Sequence, residues 1–207
     1  SLSATGTADA TPDAARASLS VVTNDPASAQ AAQEAAAIAT TEVLDALKAA
    51  GIADADIATQ SVNVGPTYTY TADGGQTPTG FQASQSLTVT LRDLTTAGAT
   101  LDAVVAAGGN AARVDSLSTF VTDPSVALDQ ARAQAVGIAR AQAEQYAQLL
   151  GFSLGPVASV TESSTTSLPA PMAMADAVAG AEKVPTPVEA GTRQVSVSLS
   201  IAWSIED

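Results

Sequence analysis

The chain has 207 residues, with 21 acidic and 8 basic side chains, a formal net charge of −13, and neither histidine nor cysteine. This length suits one large domain or two small ones, and it can bury a core without disulfide bonds. The negative charge opposes phosphate backbones and anionic lipid headgroups, so we expect no nucleic-acid binding and no direct electrostatic membrane binding. Without imidazole or thiol groups, we expect no zinc site and no histidine or cysteine catalysis.

The apolar residues are mostly small. Hydrophobic residues make up 46% of the chain, whereas aromatic residues make up 3%, so alanine and valine dominate. This composition suits closely packed helices and thin sheets. No apolar run approaches the roughly 18 residues of a membrane span. The chain opens on SLSATGTADATPD, small and polar, as we expect of an exported protein whose leader has been removed.

A short sequence motif occurs twice in the chain. The stretch Ser18–Pro26 reads SLSVVTNDP, and the stretch Ser116–Pro124, offset by 98 residues, reads SLSTFVTDP. Each alternates like a β-strand and ends in Asp-Pro, which predicts an aspartate N-cap followed by proline at the first helical position. The predicted caps are Asp25 and Asp123, and the predicted first helical residues are Pro26 and Pro124.

A long Ala/Gln/Glu-rich helix of about 25 residues is predicted after each copy. The two helices are expected to end at Gly51 and Gly151, because each glycine is followed by an apolar residue. In the second helix, one narrow stripe of mostly small residues is predicted to face inward, and Gly137 is expected to permit close packing. The stripe consists of Leu128, Ala131, Ala135, Ile138, Gln142, Gln145 and Leu149.

A β-hairpin and a third helix are predicted between the two copies. The alternating runs are SVNVGPTYTYT from residue 61 and ASQSLTVTLRD from residue 83, joined by the turn ADGGQTPTG. Val62, Val64, Tyr68 and Tyr70 are expected on one face of the first run, and Leu87, Val89 and Leu91 on one face of the second. Asp93 is expected to cap a helix whose inward residues are Leu94, Ala97, Leu101, Val104 and Val105.

The last third of the chain contains two predicted strands and a long loop. SLGPVASVTESS follows Gly151 as a strand, and TRQVSVSLSIAWSI near the C-terminus alternates through Val195, Val197, Leu199, Ile201 and Trp203. This terminal strand could form a sheet edge. Between the two lies the predicted loop 165–191, which holds four of the ten prolines. Loops longer than about 15 residues in a compact domain are usually functional or mobile.

These elements predict an α+β fold. We expect a single domain over 1–207, built from two related strand–long helix–strand units at about 14–71 and 112–163, with an added β-hairpin and third helix. A mixed or antiparallel sheet would pack against the long helices.

Catalytic motifs are absent from the sequence. There are two lysines, no G-x-S-x-G motif and no phosphate-binding glycine loop. The acids that a hydrolase could use are Asp54, Asp56 and Glu162, but neighbouring acids at this spacing are more typical of a solvated loop. Asp73 lies in a fragment of a calcium loop that lacks the other ligands. We therefore predict no catalytic, cofactor or metal site.

Two apolar features could bind a partner. Tyr68 and Tyr70, near Pro66, could stack on a sugar or a peptide, although one hydrophobic face of a strand explains them more simply.

The segment PAPMAMADA, residues 169–177, holds both methionines of the chain. Two thioethers without histidine or cysteine make a poor copper site, whereas flexible methionines fill irregular apolar grooves well. The groove could belong to this chain, to a second subunit or to a foreign protein. The candidate docking residues are Pro169, Pro171, Met172 and Met174.

Several segments in a specific order resemble the SIMPL-domain family, which includes bacterial periplasmic immunogenic proteins and actinobacterial envelope lipoproteins. They include SATGTADATPDAARASLSV, GIADADIATQSVNVGPTYTY, GFQASQSLTVTLRDL, ARAQAVGIARAQAEQYAQLLGFSLGPVASVTE, PAPMAMA and TPVEAGTRQVSVSLSIAWSI. The resemblance implies an exported, non-enzymatic protein that is secreted, periplasmic or lipid-anchored through a removed N-terminal segment. It carries over no catalytic residue. The family's PMA segment falls on Met172 and Met174, which favours docking, and an adaptor branch of the family implies protein binding.

Three functions remain open from the sequence. The first is an interaction or scaffold protein of the cell envelope, with self-association as one form of that role. The second is a carrier of an apolar small molecule or lipid, because a thin Ala/Val interior could leave an apolar cleft. The third is a hydrolase that uses Asp54, Asp56 or Glu162.

Overall fold

A computed structural model describes residues 1–70, 74–166 and 186–206, and it confirms the α+β class. The elements in chain order are β1 Leu2–Ala10, β2 Ala14–Asp25, α1 Ala29–Ala49, β3 Ile57–Tyr70, β4 Gln76–Leu91, α2 Leu94–Gly108, β5 Ala112–Phe120, α3 Ser125–Leu150, β6 Ser153–Thr166 and β7 Arg193–Glu206. No α-helix within these ranges has the length and apolar character required to cross a membrane.

The chain divides into two compact units. The three-stranded unit contains Ser1–Pro12 with the described residues from 121 to 166 and from 191 to 206, and its sheet has the order β1-β7-β6. The four-stranded unit contains Asp13–Phe120 with residues 186–190, and its sheet has the order β3-β4-β2-β5. Neighbouring strands in both described sheets run antiparallel.

The core of the four-stranded unit follows from strand alternation. Every second residue is buried from Ala15 to Val21 of β2 and from Leu87 to Leu91 of β4, because these side chains point to the same side of the sheet. The same core cluster includes residues of α1 and α2. The predicted inward residues Leu87, Val89 and Leu91 are at most 1% exposed. The other main members of this core are Ala15, Ala17, Leu19, Val21, Val43, Leu47, Leu101 and Val104.

The two echoed stretches pair with each other. Strand β2 lies between β4 and β5, and Ser18 is directly opposite Ser116 in the antiparallel β2–β5 pair. The helices that follow the two strands then diverge, since α1 packs in the four-stranded unit and α3 in the three-stranded unit. The repeated motif therefore corresponds to two strands that are neighbours in one sheet.

The first helix begins later than predicted. Helix α1 starts at Ala29, and Ser28 is its N-cap, with its hydroxyl accepting the Ala31 N–H at 3.2 Å. Asp25 ends β2, and its carboxylate accepts the N–H groups of Ala27 and Ser28 at 2.8 and 2.7 Å. The prediction of Asp25 as the N-cap is thus wrong, because this aspartate stabilises the turn before the helix.

The second long helix begins close to the predicted position. Asp123 accepts the Ser125 N–H at 3.0 Å, and α3 starts at Ser125 with Pro124 at the N-cap. The predictions of Asp123 as the N-cap and Pro124 as the first helical residue are therefore wrong by one residue. The predicted glycine ends are confirmed. Gly51 and Gly151 have φ of 86° and 78°, a left-handed conformation in which a side chain would be strained.

The three-stranded unit corrects two predictions about strands. Strand β7, predicted as a possible sheet edge, is the central strand, since it pairs with β1 from Leu2↔Ile201 to Ala10↔Arg193 and with β6 on its other side. Its alternating residues Val195, Val197, Leu199 and Ile201 are buried, as predicted. Strand β1 was not predicted, although Leu2 and small apolar residues alternate with polar ones in LSATGTADA, because alanine and glycine are weak strand signals.

The buried stripe of α3 differs from the predicted one. Alanine is buried at every fourth position, and the buried residues are Ala127, Ala131, Ala135, Ala139, Ala143 and Ala147. The prediction is confirmed at Ala131 and Ala135, but Gln142, Gln145 and Leu149 are exposed. Four residues turn a helix by about 400°, so a strict four-residue stripe advances by about 40° at each step.

Close packing between a strand and a helix in this unit depends on a glycine that was not predicted to have this role. A Cβ added at Gly137 would meet nothing within 4 Å, so this residue does not serve close packing. A Cβ added at Gly6 of β1 would overlap the backbone atoms of Ala131 and Ala135. Gly6 and the alanines therefore allow the strand and α3 to lie in direct backbone contact.

The hairpin and third helix mostly match expectation. Strand β4 begins at Gln76, so the predicted turn is shorter, and Asp73 lies outside the described residues. Asp93 is the N-cap of α2, as predicted, and accepts the Thr95 N–H at 2.9 Å. Ala97, Leu101 and Val104 are buried, but Val105 is 42% exposed and does not face the core.

Candidate interaction surface

The three acids considered for hydrolysis are each engaged with a cation. Asp56 accepts two hydrogen bonds from Arg92, at 2.8 and 2.7 Å. Glu162 accepts two from Arg132, at 2.8 and 2.9 Å. The Nζ atom of Lys48 lies 3.1 Å from Asp54. Each carboxylate therefore has a structural role in an ion pair.

Hydrogen bonding also shifts the pKa of two of these acids, Asp56 and Glu162. The Arg92 guanidinium, which donates hydrogen bonds to Asp56, holds the pKa of that carboxyl below its ordinary value. Arg132 lowers the pKa of Glu162 in the same way. A general acid at neutral pH needs a raised pKa, so these groups are shifted in the direction opposite to what acid catalysis requires. Within the described ranges, no group of three or more ligating side chains is arranged to hold a metal ion.

Two open clefts border the Asp56–Arg92 pair in the four-stranded unit, each of about 440 Å³. The first is lined by Arg16, Ala55, Asp56, Ala58, Gln60, Thr88 and Thr90. The second lies between the end of α1 and the start of α2, beside Arg92 and Asp93. The Arg16 guanidinium lies 5.3 Å from the centre of the Phe120 ring. Hydroxyl and charged groups line the first cleft, which suits a polar ligand better than an apolar one.

The predicted docking residues Pro169, Pro171, Met172 and Met174 lie outside the described residues. Residues 186–190, which follow this segment, are described, and they belong to the four-stranded unit. The Thr186 N–H and hydroxyl donate to the Asp102 carboxylate at 3.0 and 2.7 Å. These hydrogen bonds, led by that of the side chain, lower the pKa of Asp102 below its ordinary value.

The segment 186–190 is anchored by packing as well. A Cβ at Gly98 of α2 would overlap the backbone O of Thr186, so only glycine lets this segment lie directly on the helix. Val188 packs against the core, and the Ala190 C=O accepts a hydrogen bond from the Thr119 hydroxyl at 3.0 Å. The chain that follows the docking segment is therefore fixed on α2 and β5.

The β3–β4 hairpin exposes apolar side chains on an uncharged surface. From Ile57 to Leu91 the only charged residue is Asp73, in a chain with 29 charged residues. The exposed fractions are 57% for Val62, 39% for Val64, 49% for Tyr68 and 72% for Tyr70. These residues, predicted as one hydrophobic strand face, thus remain largely open to solvent.

The hairpin also extends beyond the rest of its sheet. The β2–β4 pairing stops at Asp25↔Phe81, whereas the β3–β4 pairing continues from Pro66↔Phe81 to Tyr70↔Gln76. Its outer part is therefore a two-stranded ribbon. Gly80, at φ 145°, passes so close to Asp25 and Pro26 that a Cβ would clash with their backbone atoms. The missing charge in this stretch was the sequence signal that could have identified the surface.

Comparison with known proteins settles the family. The chain matches the SIMPL family, described as a protein of unknown function (DUF541), over residues 1–203. The chain belongs to the SIMPL family. This confirms the resemblance carried by the ordered sequence segments, and the family description assigns no activity.

Alignments with individual relatives extend over most of this chain. It is 35% identical over 208 residues to the 26 kDa periplasmic immunogenic protein of Brucella melitensis, covering 97% of this chain and 82% of that protein. It is 33% identical over 171 residues to the uncharacterized protein YggE of Escherichia coli K12, covering 82% of this chain and 68% of that protein. The YggE protein of Edwardsiella ictaluri is 35% identical over 165 residues, covering 76% of this chain.

Proposed function

We propose that this SIMPL-family chain is an exported, non-enzymatic protein of the cell envelope that acts as an interaction or scaffold module. The observation that carries the proposal is the uncharged β3–β4 hairpin, which exposes Val62, Val64, Tyr68 and Tyr70 in a chain of net charge −13. Exposed apolar and aromatic side chains with few neighbouring charges are characteristic of the centres of protein interfaces.

The envelope location is supported by the printed name of the Brucella melitensis relative, which calls that protein periplasmic. Both a secreted form and a lipid-anchored form fit the proposal. The proposed role requires contact with other envelope proteins or with further copies of the chain.

The non-enzymatic role is supported by the state of the carboxylates. Asp56 and Glu162 are paired with arginines, and hydrogen bonds lower the pKa of each. The first cleft beside Asp56 presents mainly polar and charged groups, so it gives a carrier of an apolar ligand little geometric support.

The role of the docking segment can be tested by light scattering, which measures the absolute mass in solution. We expect the wild type to exceed the mass of one chain, and the variant Met172→Ser/Met174→Ser to lose mass if the segment contributes to assembly. Val126→Ser is the control, because Val126 is 68% exposed on α3 and lies outside the docking segment. A single-chain mass at every concentration, with no protein cross-linked to the chain in intact cells, would contradict the proposed function.

A further inference from the structure

Strand β3 is an unusual sheet edge. Edge strands leave alternate backbone N–H and C=O groups without a sheet partner, and proteins commonly protect such edges with charged residues. Among the described sheets, three of the four edge strands carry charges: Asp9 on β1, Arg113 and Asp115 on β5, and Glu162 on β6. Strand β3 spans 14 residues and carries none. Its edge therefore lacks the commonest protection against pairing with another strand.

The part of β3 that could pair is limited and well defined. Register shifts lie between Thr59 and Ser61 and between Thr67 and Tyr68. Pro66 has no N–H and could not donate to a new strand. The regular stretch Ser61–Gly65 remains, within which Val62 and Val64 are 57% and 39% exposed. Five residues approach the usual strand length of about 5–6.

The uncharged hairpin allows a second copy of the chain to be the strand that pairs here. Two chains of net charge −13 repel each other, and the repulsion is strongest where their acidic surfaces come within about 8–10 Å. The hairpin from Ile57 to Leu91 keeps its surface free of charge, apart from Asp73. Contact through β3 therefore brings two copies together without placing a charged side chain of this strand at the interface.

We propose that two copies pair antiparallel through the β3 edge, across a two-fold axis at Asn63. This proposal rests on the proposed interaction function and names its partner and surface. A two-fold axis at Asn63 places this residue opposite its own copy and Val62 opposite Val64 of the second copy. The four-stranded sheets of the two copies then join into one continuous sheet, and the exposed valines pack in cross-strand pairs.

A charge placed on this edge should separate the copies. Val62→Lys puts a cation on β3, and Val160→Lys is a matched control, because both valines are 57% exposed on edge strands of different sheets. By light scattering over a dilution series, we expect Val62→Lys to raise the dissociation constant about tenfold or more, and Val160→Lys to leave it unchanged. Equal dissociation constants for the wild type and Val62→Lys would overturn the pairing.

A cross-link tests the register directly and does not depend on the folding of the lysine variant. The chain has no cysteine, so Asn63→Cys introduces a single thiol. Opposed Cα atoms in an antiparallel pair are about 4.5–5.5 Å apart, within the range that a disulfide spans. Under mild oxidation we expect a disulfide-linked dimer from Asn63→Cys, and little from Thr161→Cys on β6.

The outcomes separate this inference from the proposed function. If the wild type is oligomeric, Val62→Lys has the same dissociation constant and position 63 gives no preferential cross-link, the β3 pairing is excluded. An interaction through another surface then remains. A monomeric wild type without any cross-linked partner in cells removes both.

Discussion

An aspartate lies just before each of the three described helices, and the three side chains act differently. Asp93 caps α2, Asp123 binds the first N–H of α3, and Asp25 binds a turn that precedes α1. The sequence predicted the type of contact at all three positions, because a short carboxylate accepts nearby orphan N–H groups. It misplaced Asp25, because Ser28, three residues later, is an equally good cap.

Acid pH should weaken the Asp93 cap. Hydrogen bonds from Thr95, led by the one from its side chain, hold the pKa of Asp93 below its ordinary value of 3.8. A lowered pKa in the folded state stabilises the protein above the unfolded pKa, and this contribution is lost as the pH falls through the folded pKa. Asparagine caps about as well as aspartate but does not titrate.

We therefore expect Asp93→Asn to have the same melting temperature as the wild type at pH 7. Between pH 5 and about pH 2, the melting temperature of Asp93→Asn should fall less than that of the wild type. Asp93→Ala should melt at a lower temperature than either protein at pH 7. Thermal unfolding followed by circular dichroism across this pH range measures the difference. Parallel acid profiles for the wild type and Asp93→Asn would show that the cap does not contribute to the pH dependence.

At the scale of elements, the contact between α3 and β1 is built from small residues. Alanine at every fourth position keeps the helix surface flat, and Gly6 removes the last side chain between the two backbones. The three-stranded unit thus gains close packing where larger side chains would separate its layers. This explains the scarcity of bulky residues noted in the composition.

Gly6→Ala should destabilise the three-stranded unit. The added methyl group would overlap the backbone of α3, which cannot move away as a flexible side chain would. We expect the free energy of unfolding to fall by about 1–3 kcal/mol, as in other overpacked sites. Gly137→Ala is the matched control, because its Cβ meets no atom and alanine favours helix by about 1 kcal/mol. Urea denaturation distinguishes the two, and equal stability of both variants would contradict the close contact.

At the scale of the molecule, the two units are assembled differently from the chain. The four-stranded unit is almost continuous in sequence, since Asp13–Phe120 supplies all of its strands and helices. The three-stranded unit needs both ends of the chain, because β1 pairs with β7 along nine positions. Its sheet therefore closes only when the N-terminal strand is present.

Fragments of the chain should show this difference. We expect residues 13–120 to fold alone, with helical and strand circular dichroism and a cooperative thermal transition. Residues 121–207 lack β1, so α3 and β7 lose their neighbour, and we expect no cooperative transition. Restoring residues 1–12 through a flexible linker after residue 207 should recover it. Cooperative unfolding of residues 121–207 by themselves would contradict the role assigned to β1.

The sequence alone determined the α+β class, most strands and helices, the glycine ends of the long helices and the family. These features depend on local alternation, capping and ordered segments, which are visible along the chain. Only the tertiary structure decided that β7 is central, that β1 is a strand and that Gly6 meets α3. Those facts depend on pairs such as Leu2↔Ile201, and no local pattern encodes which distant strands become neighbours. The missing charge marked the β3 stretch in the sequence, but Val62 and Val64 alternate as core residues would, and the tertiary structure decided that β3 is an edge strand and that these valines are exposed.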